Sequence, residues 1–426
     1  MQKRIFFLGL ACALGNVLGN ADALKIDGYA KAMYVHDDRK ESKPDQRTPG
    51  FGGKLGVKTP DFEGFDGYAA WYQVTDFGLK EENPKQTDAY MFGVNKEPYG
   101  ILGEAYLHYK HAKSALTFGR QMIDTPIISS YDYRIIPNLF EAYTLTDMSM
   151  SDTKFTLSYV TQMSGLDGLV SFENFETMSA QTYTSLTIDE QTMDISKLVG
   201  TKGVVMSGAE YENKNKFAVW NYYCQDVLNT LYLDGSTYFQ LNDTLFYTLS
   251  LQYYRVDSIG VFDNYLKETG LNGNYDLWGI KHELTFKPEG ISIFAAYNRF
   301  SGNDKTITAF GNWGGYPEYV AVPYMFSQDG AMNAIAQSNM QRIGVKFELG
   351  KIKLEGQTLM ISQSHYDFND HIIANSDIWL TSILYNLKTK ESVHLRVFYE
   401  LRNSPNYRYD NHMLTLSLRY DFSILQ

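Results

Sequence analysis

Near the C-terminus, Leu414, Leu416, Leu418, Tyr420 and Phe422 alternate with Thr415, Ser417, Arg419 and Asp421. Successive side chains of a strand point to opposite faces, so this segment predicts a strand with one apolar and one polar face. Val393, Leu395, Val397, Tyr399 and Leu401 stand in the same way against His394, Arg396, Phe398, Glu400 and Arg402, with Phe398 as the exception. Phe155, Leu157 and Tyr159 likewise face away from Lys154, Thr156 and Ser158, and Leu245 to Tyr253 repeat the pattern more loosely. No stretch of 18 residues carries a convincing apolar stripe at helical spacing, so the periodicity predicts an all-β chain.

The connections between these strands sort into two classes. Short ones fall at 60–64, 111–113, 149–152, 212–216, 241–243, 287–290, 350–351 and 388–391. Long ones, rich in Asp, Asn, Ser and Gly, fall at about 36–50, 76–101, 121–138, 163–202, 227–236, 256–275, 301–340, 362–376 and 403–411. Eight short and nine long connections imply eighteen strands, with both chain ends on the side of the short turns. Tight turns at one end and long loops at the other are the pattern of a transmembrane antiparallel β-barrel with short periplasmic turns and long extracellular loops. Lipid offers no hydrogen-bond partners, so a sheet can cross it only by closing on itself. A soluble secreted β-sheet also alternates, but its turns are expected to be shorter and more even.

One long connection is unlike the others. Gln121 to Asn138 reads QMIDTPIISSYDYRIIPN, with Ile123, Ile127, Ile128, Ile135 and Ile136 set among Asp124, Asp132 and Arg134. So apolar a loop is poorly solvated outside, which predicts that it folds into the barrel and narrows it. The polar parity of the strands would then line the inside. It carries Lys25, Lys31, Lys54, Lys110, Lys154, Lys281, Lys346, Lys353, Lys388, Arg396, Arg402 and Arg419 against Asp27, Glu104, Glu283, Glu348, Glu355, Glu400 and Asp421. A barrel of this strand number with a charged interior encloses water.

Composition sharpens this picture. The chain has a formal net charge of -11, so the basic wall must be offset by acid in loops and turns, and a nucleic-acid partner is not expected. The 33 Tyr and 5 Trp find a place in the two aromatic girdles of a barrel, and Tyr109, Trp379, Tyr385, Tyr399 and Tyr420 have outward parity near strand ends. Lys3 and Arg4, the apolar run Ile5 to Leu14 and Ala21-Asp22-Ala23 predict a signal peptide over 1–23, leaving 24–426 as a single barrel in the outer membrane. Its removal leaves Cys224 alone, so no intramolecular disulfide is available.

Gly119-Arg120-Gln121, Asp124-Thr125-Pro126 and the run from Asp132 through Arg134 to Glu141 resemble the third-loop region of the OprD-like outer-membrane porin family. Gly52-Gly53-Lys54-Leu55-Gly56-Val57-Lys58-Thr59-Pro60 is similar to that family's second strand. The resemblance implies an 18-stranded channel of Gram-negative bacteria that admits small hydrophilic solutes such as amino acids, peptides or small carboxylates. It implies a constriction at Asp124, Asp132, Arg134 and Glu141 facing a basic lining, here Lys154, Lys281, Lys346, Lys353, Arg396, Arg402 and Arg419. Lys outnumbers Arg on this wall and offers a point charge where Arg offers a planar fork.

No nucleophile elbow, dinucleotide or phosphate-binding motif and no zinc spacing occurs, so no cofactor, metal or catalytic residue is expected. His108 and His111 flank a tight turn and read as solvated, while His365-Tyr366-Asp367-Phe368-Asn369-Asp370-His371 is oxygen-rich but lacks the Gly and terminal Glu of a calcium loop. The rival readings are a barrel enzyme and an adhesin or surface structural protein. Outer-membrane lipid and small solutes are the expected partners, and the pattern fits a monomer or a homotrimer equally.

Overall fold

The computed structural model describes residues 24–39, 44–93, 95–130, 133–164, 171–174, 185–188, 191–200, 202–308, 311–321, 336–368, 377–405 and 411–425. The signal segment 1–23 lies outside them. The long strands are β1 Lys25–Arg39, β2 Gln46–Lys58, β3 Phe65–Thr75, β4 Tyr99–His111, β5 Ser114–Gln121, β6 Leu139–Asp147, β7 Thr153–Ser164, β8 Val204–Glu212 and β9 Lys216–Cys224. They continue as β10 Leu228–Gln240, β11 Leu245–Ser258, β12 Tyr275–Phe286, β13 Ile291–Phe300, β14 Asn339–Glu348, β15 Gln357–Asp367, β16 Ile378–Lys388, β17 Val393–Asn403 and β18 Asn411–Leu425. Each pairs antiparallel with its chain neighbours, and β18 pairs with β1 from Leu425 opposite Lys25 to Asn411 opposite Arg39. The sheet is therefore a closed barrel of eighteen strands, with a two-residue strand, Glu173–Asn174, added at the end of β7.

Several boundaries differ from the sequence reading, among them the loop expected at 36–50, into which β1 and β2 extend as far as Asp37 opposite Gln46. The long loop expected at 227–236 is the turn 225–227, because Asp234, Gly235 and Ser236 continue β10 and pair with both β9 and β11. The turn expected at 350–351 occupies 349–356, as a 3-10 turn Leu349–Ile352 followed by Lys353 in the left-handed region at φ 69.

The apolar parity is the exposed one. Leu55, Leu107, Leu157, Leu251, Ile343 and Leu418 stand outward, while the other parity buries Thr48, Asp66, Thr230, Gln252 and Ser364. A soluble protein would hide the first set; a lipid-facing wall requires it outside. Aromatic rings meet across neighbouring strands at both ends of this surface. Phe65 stacks on Tyr109 with centroids 4.3 Å apart near the short turns, and His365 on Trp379 at 4.2 Å near the long loops.

Candidate pore constriction and charged wall

Loop 122–138 is built around Pro126. Thr125 N donates to Ile128 O at 2.8 Å, and Asp124 Oδ1 accepts from Ser130 N at 3.0 Å and Ser129 Oγ at 3.1 Å. Asp124 thus closes the turn, as a short side chain with a carboxylate acceptor does. All five isoleucines are buried. Ile127 N donates to Tyr222 Oη on β9 at 3.4 Å, whereas Tyr29 Oη and Lys31 Nζ on β1 donate to Ile135 O and Arg134 O, both at 2.6 Å. β1 and β9 lie eight strands apart in a ring of eighteen, so the loop bridges nearly opposite walls. Glycine is needed where it lands. A Cβ at Gly52 would stand 2.9 Å from Ile135 Cγ2 and 1.9 Å from Gln73 O.

A second segment, 311–321 between β13 and β14, meets this loop edge to edge. Trp313 N donates to Ile127 O at 2.9 Å, and Ser129 N returns a bond to Trp313 O at 3.0 Å. Close approach again demands glycine, since a Cβ at Gly315 would lie 2.0 Å from Pro126 O. The segment is held to the wall by Gln252 Nε2 to Pro317 O at 2.6 Å, Arg342 Nη1 to Ala321 O at 2.7 Å and Tyr366 Oη to Val320 O at 2.9 Å. Glu318 is 6% exposed; its Oε1 accepts from Tyr254 Oη at 2.8 Å and its Oε2 has no hydrogen-bond partner among the described residues. Burial pushes this carboxyl up to about 7. Sequence reading missed the segment, although Trp313-Gly314-Gly315-Tyr316 is a close-packing signature inside an otherwise polar loop.

The basic side chains of the inner wall gather across the closure of the barrel. Arg419 on β18 is directly opposite Lys31 on β1, Arg396 on β17 faces Ser417 two positions away, and Lys54 on β2 faces Tyr29. These four cations thus occupy four adjacent strands. Arg419 pairs with Asp421 at 2.7 Å, and Lys54 lies 3.3 Å from Asp27 and 3.5 Å from Glu104. Elsewhere on the inner parity Lys154 pairs with Glu210 at 3.6 Å, Lys281 with Glu283 at 2.7 Å and Lys346 with Glu348 at 3.9 Å.

A model described as outer membrane porin, OprD family, matches residues 78–327. That is more than half of the chain. The chain belongs to the OprD family of outer membrane porins. It is similar to the crystal structure of Pseudomonas aeruginosa OccK9 (OpdG), with TM-score 0.76 and 15% identity over 94% of this chain and 98% of that one. It is also similar to Acinetobacter baumannii OccAB2, with TM-score 0.74 and 13% identity over 94% and 98%. A third similar structure is Pseudomonas aeruginosa OpdK with vanillate, with TM-score 0.72 and 12% identity over 94% and 99%. No curated protein matches the chain by sequence. The protein is thus an outer-membrane channel for passive diffusion of small solutes.

Several candidate residues of the porin sit elsewhere than their spacing suggested. Lys353 is in the turn 349–356 and lines no strand, because the chain needs eight residues there to reverse. Glu355 lies in the same turn, 4.0 Å from Lys390. Glu141 is opposite Arg120 on β5, on the parity of Phe118 and Tyr143, so it belongs to the outer face. Arg402 faces inward but is fully buried, with Nη2 3.8 Å from Glu400 Oε2. Arg134 is buried and donates to Asn138 Oδ1. Asp132 lies outside the described residues, as do 369–376. His365 and Tyr366 are consecutive residues of β15 and point to opposite faces, so they do not converge on a cation. His108 is not simply solvated, since its Nδ1 lies 3.1 Å from Asp66 Oδ2.

Proposed function

We propose that the porin discriminates among small hydrophilic solutes by charge, and that loop 122–138 and the cation row on β17, β18, β1 and β2 form the passage where this happens. One observation carries the reading. Arg396, Arg419, Lys31 and Lys54 stand on adjacent strands, and the same loop touches three of them or their neighbours: Arg134 O on Lys31, Ile135 O on Tyr29 and the Tyr133 ring on Arg396. A solute passing beside the loop meets cations of four adjacent strands, of which Lys54 and Arg419 also carry carboxylate partners, in a site walled by low-dielectric groups. Carboxylate-bearing solutes are favoured, and the vanillate in the OpdK structure supports a small organic anion. Asp124 is occupied in closing its turn, so it contributes charge at the rim of the passage more than a direct contact. Cleavage after Ala23 would deliver the barrel to the outer membrane.

The test is a planar-bilayer measurement of reversal potential across a potassium chloride gradient. The double substitution Arg396→Gln with Arg419→Gln is expected to lower the chloride-to-potassium permeability ratio. A ratio equal to that of the unaltered channel would refute charge discrimination by this row.

A further inference from the structure

The outward face of β8 to β11 carries a furrow in the lipid-facing wall. It is a cavity of about 640 Å³ lined by Ala209, Phe217, Val219, Leu233, Leu249 and Leu251, with Gly235 at its floor. These residues share the outward parity, since Ala209 is opposite Val219, and Gly235 is opposite Phe217 on one side and Leu251 on the other. The cause is local. Gly235 has no side chain, while Phe217 and Leu251 are each 55% exposed and form the rims. The backbone at Gly235 is ordinary extended strand, and a Cβ there would first meet the Phe217 ring, 3.1 Å away, so the strand does not require glycine and the space is left open. The furrow follows β10 from Leu233 to Thr237, about 14 Å of strand, toward the short turns. At that end Thr237 Oγ1 donates to Asn215 Oδ1 at 2.7 Å, which brings the turn 213–215 to the mouth of the furrow. Lys214 in this turn is exposed and forms no ion pair among the described residues, whereas Lys216 is paired with Glu212.

We propose that this furrow seats an acyl chain of a phospholipid of the periplasmic leaflet, and that Lys214 and Asn215 hold the phosphate of its headgroup. The wall faces hydrocarbon here, so the occupant of an apolar furrow is drawn from lipid. Left open, the furrow deprives its lining of contact atoms on one side, and a seated chain restores those dispersion contacts. A second copy of the barrel fits less well, because a stable protein interface buries about 1,200 Å² or more and the furrow is one strand wide between β9 and β11. A lysine at the membrane surface attracts anionic headgroups. Asn215 Oδ1 is taken by Thr237, which leaves its Nδ2 to donate to a phosphate oxygen. Both nearby carboxylates are already engaged, since Asp152 Oδ2 accepts from Asn213 Nδ2 at 2.9 Å and Glu212 is paired with Lys216.

The experiment is native mass spectrometry of the full porin in detergent, with dioleoylphosphatidylglycerol as the anionic probe and dioleoylglycerol as the same chains without a phosphate. The unaltered porin is expected to retain phosphatidylglycerol more tightly than the diacylglycerol. Gly235→Leu fills the furrow with a side chain suited to a lipid-facing wall and should remove both. Lys214→Gln, in an exposed turn, should raise the dissociation constant for phosphatidylglycerol about fivefold, the share of one lysine at an anionic surface, and leave the diacylglycerol unchanged. Gly67→Leu adds the same bulk to the outward face of β3, where a Cβ meets nothing nearer than 3.7 Å, and should leave both lipids bound. The assignment is overturned if the unaltered porin retains neither lipid, or if Gly235→Leu displaces lipid no more than Gly67→Leu does. It is overturned equally if Lys214→Gln leaves phosphatidylglycerol as tightly held as before or weakens both lipids alike. A dimer that Gly235→Leu dissolves, with no lipid retained, would give the furrow to a second copy and overturn it too.

Discussion

Two segments fold into the barrel, and they are held there by different forces. Loop 122–138 buries Ile123, Ile127, Ile128, Ile135 and Ile136 and touches walls eight strands apart. Segment 311–321 buries fewer aliphatic and aromatic side chains, Trp313 and Val320, and is held besides by side-chain hydrogen bonds from Gln252, Arg342 and Tyr366, with Tyr319 Oη donating to Asp234 Oδ2 at 2.6 Å and Asn298 Oδ1 accepting from Val320 N at 3.1 Å. Each buried isoleucine contributes roughly 1.5–3 kcal/mol, and each neutral hydrogen bond about 1 kcal/mol net. The first segment is therefore a fixed part of the passage, while the second can be loosened in steps. The difference gives an order to the expected effects.

Ile128→Asp should have the largest. Ile128 is fully buried where the loop meets Trp313, so the substitution removes its apolar burial and places an unpaired carboxylate there. Together these cost more than about 3 kcal/mol, and the loop should leave its seat. Single-channel current should rise clearly. A current equal to that of the unaltered porin would mean that this loop is not what limits flow.

Glu318 gives the intermediate effect and a pH signature for the second segment. In the docked segment its carboxyl titrates at about 7, against 4.5 when free in water. The docked state therefore binds the proton more tightly. Its docking contribution is complete below about pH 4.5 and is lost as pH rises through 7, a loss of order 3 kcal/mol. The groups packed around it, Tyr254, Tyr275 and Tyr232, supply no positive charge to offset the ionised form. Open-channel current should become noisier or larger between pH 5 and 8, and Glu318→Gln should flatten that dependence. An identical pH profile in the Gln variant would remove Glu318 as its origin.

The same contrast explains what could be read from the sequence. Strand number and the sidedness of the wall follow from a period of two, which Leu414 to Phe422 display without interruption, and the fold was legible from that period. The isoleucines of loop 122–138 were legible too, because apolar residues in a polar setting announce burial. Segment 311–321 was read as one polar loop, since its docking bonds use its own carbonyls and its mark in the sequence is confined to Trp313-Gly314-Gly315-Tyr316 and Val320. Glu141 and Lys353 were misplaced for different reasons. Glu141 came from the resemblance and shares the parity of the outward Tyr143, and the eight-residue turn removes Lys353 from the parity count. Arg396 was found by parity, but its contacts with Asn386 and the Tyr133 ring join residues distant in sequence.

Tyr366→Phe should give the smallest effect and the sharpest test of whether the two segments are separate. The change removes the hydroxyl that donates to Val320 O at 2.9 Å and keeps the ring that fills the wall. The expected loss is about 1 kcal/mol, or roughly fivefold in the population of an undocked segment. Hydrogen exchange at the Val320 amide, which is bonded to Asn298, should speed up by about that factor. The Ser130 amide, bonded inside the other loop to Ile123 O and Asp124 Oδ1, should exchange as before. Equal acceleration at both amides would mean that the bonds between Ile127, Ser129 and Trp313 weld the segments into one opening unit, and the graded response drawn from their different fastenings would fail.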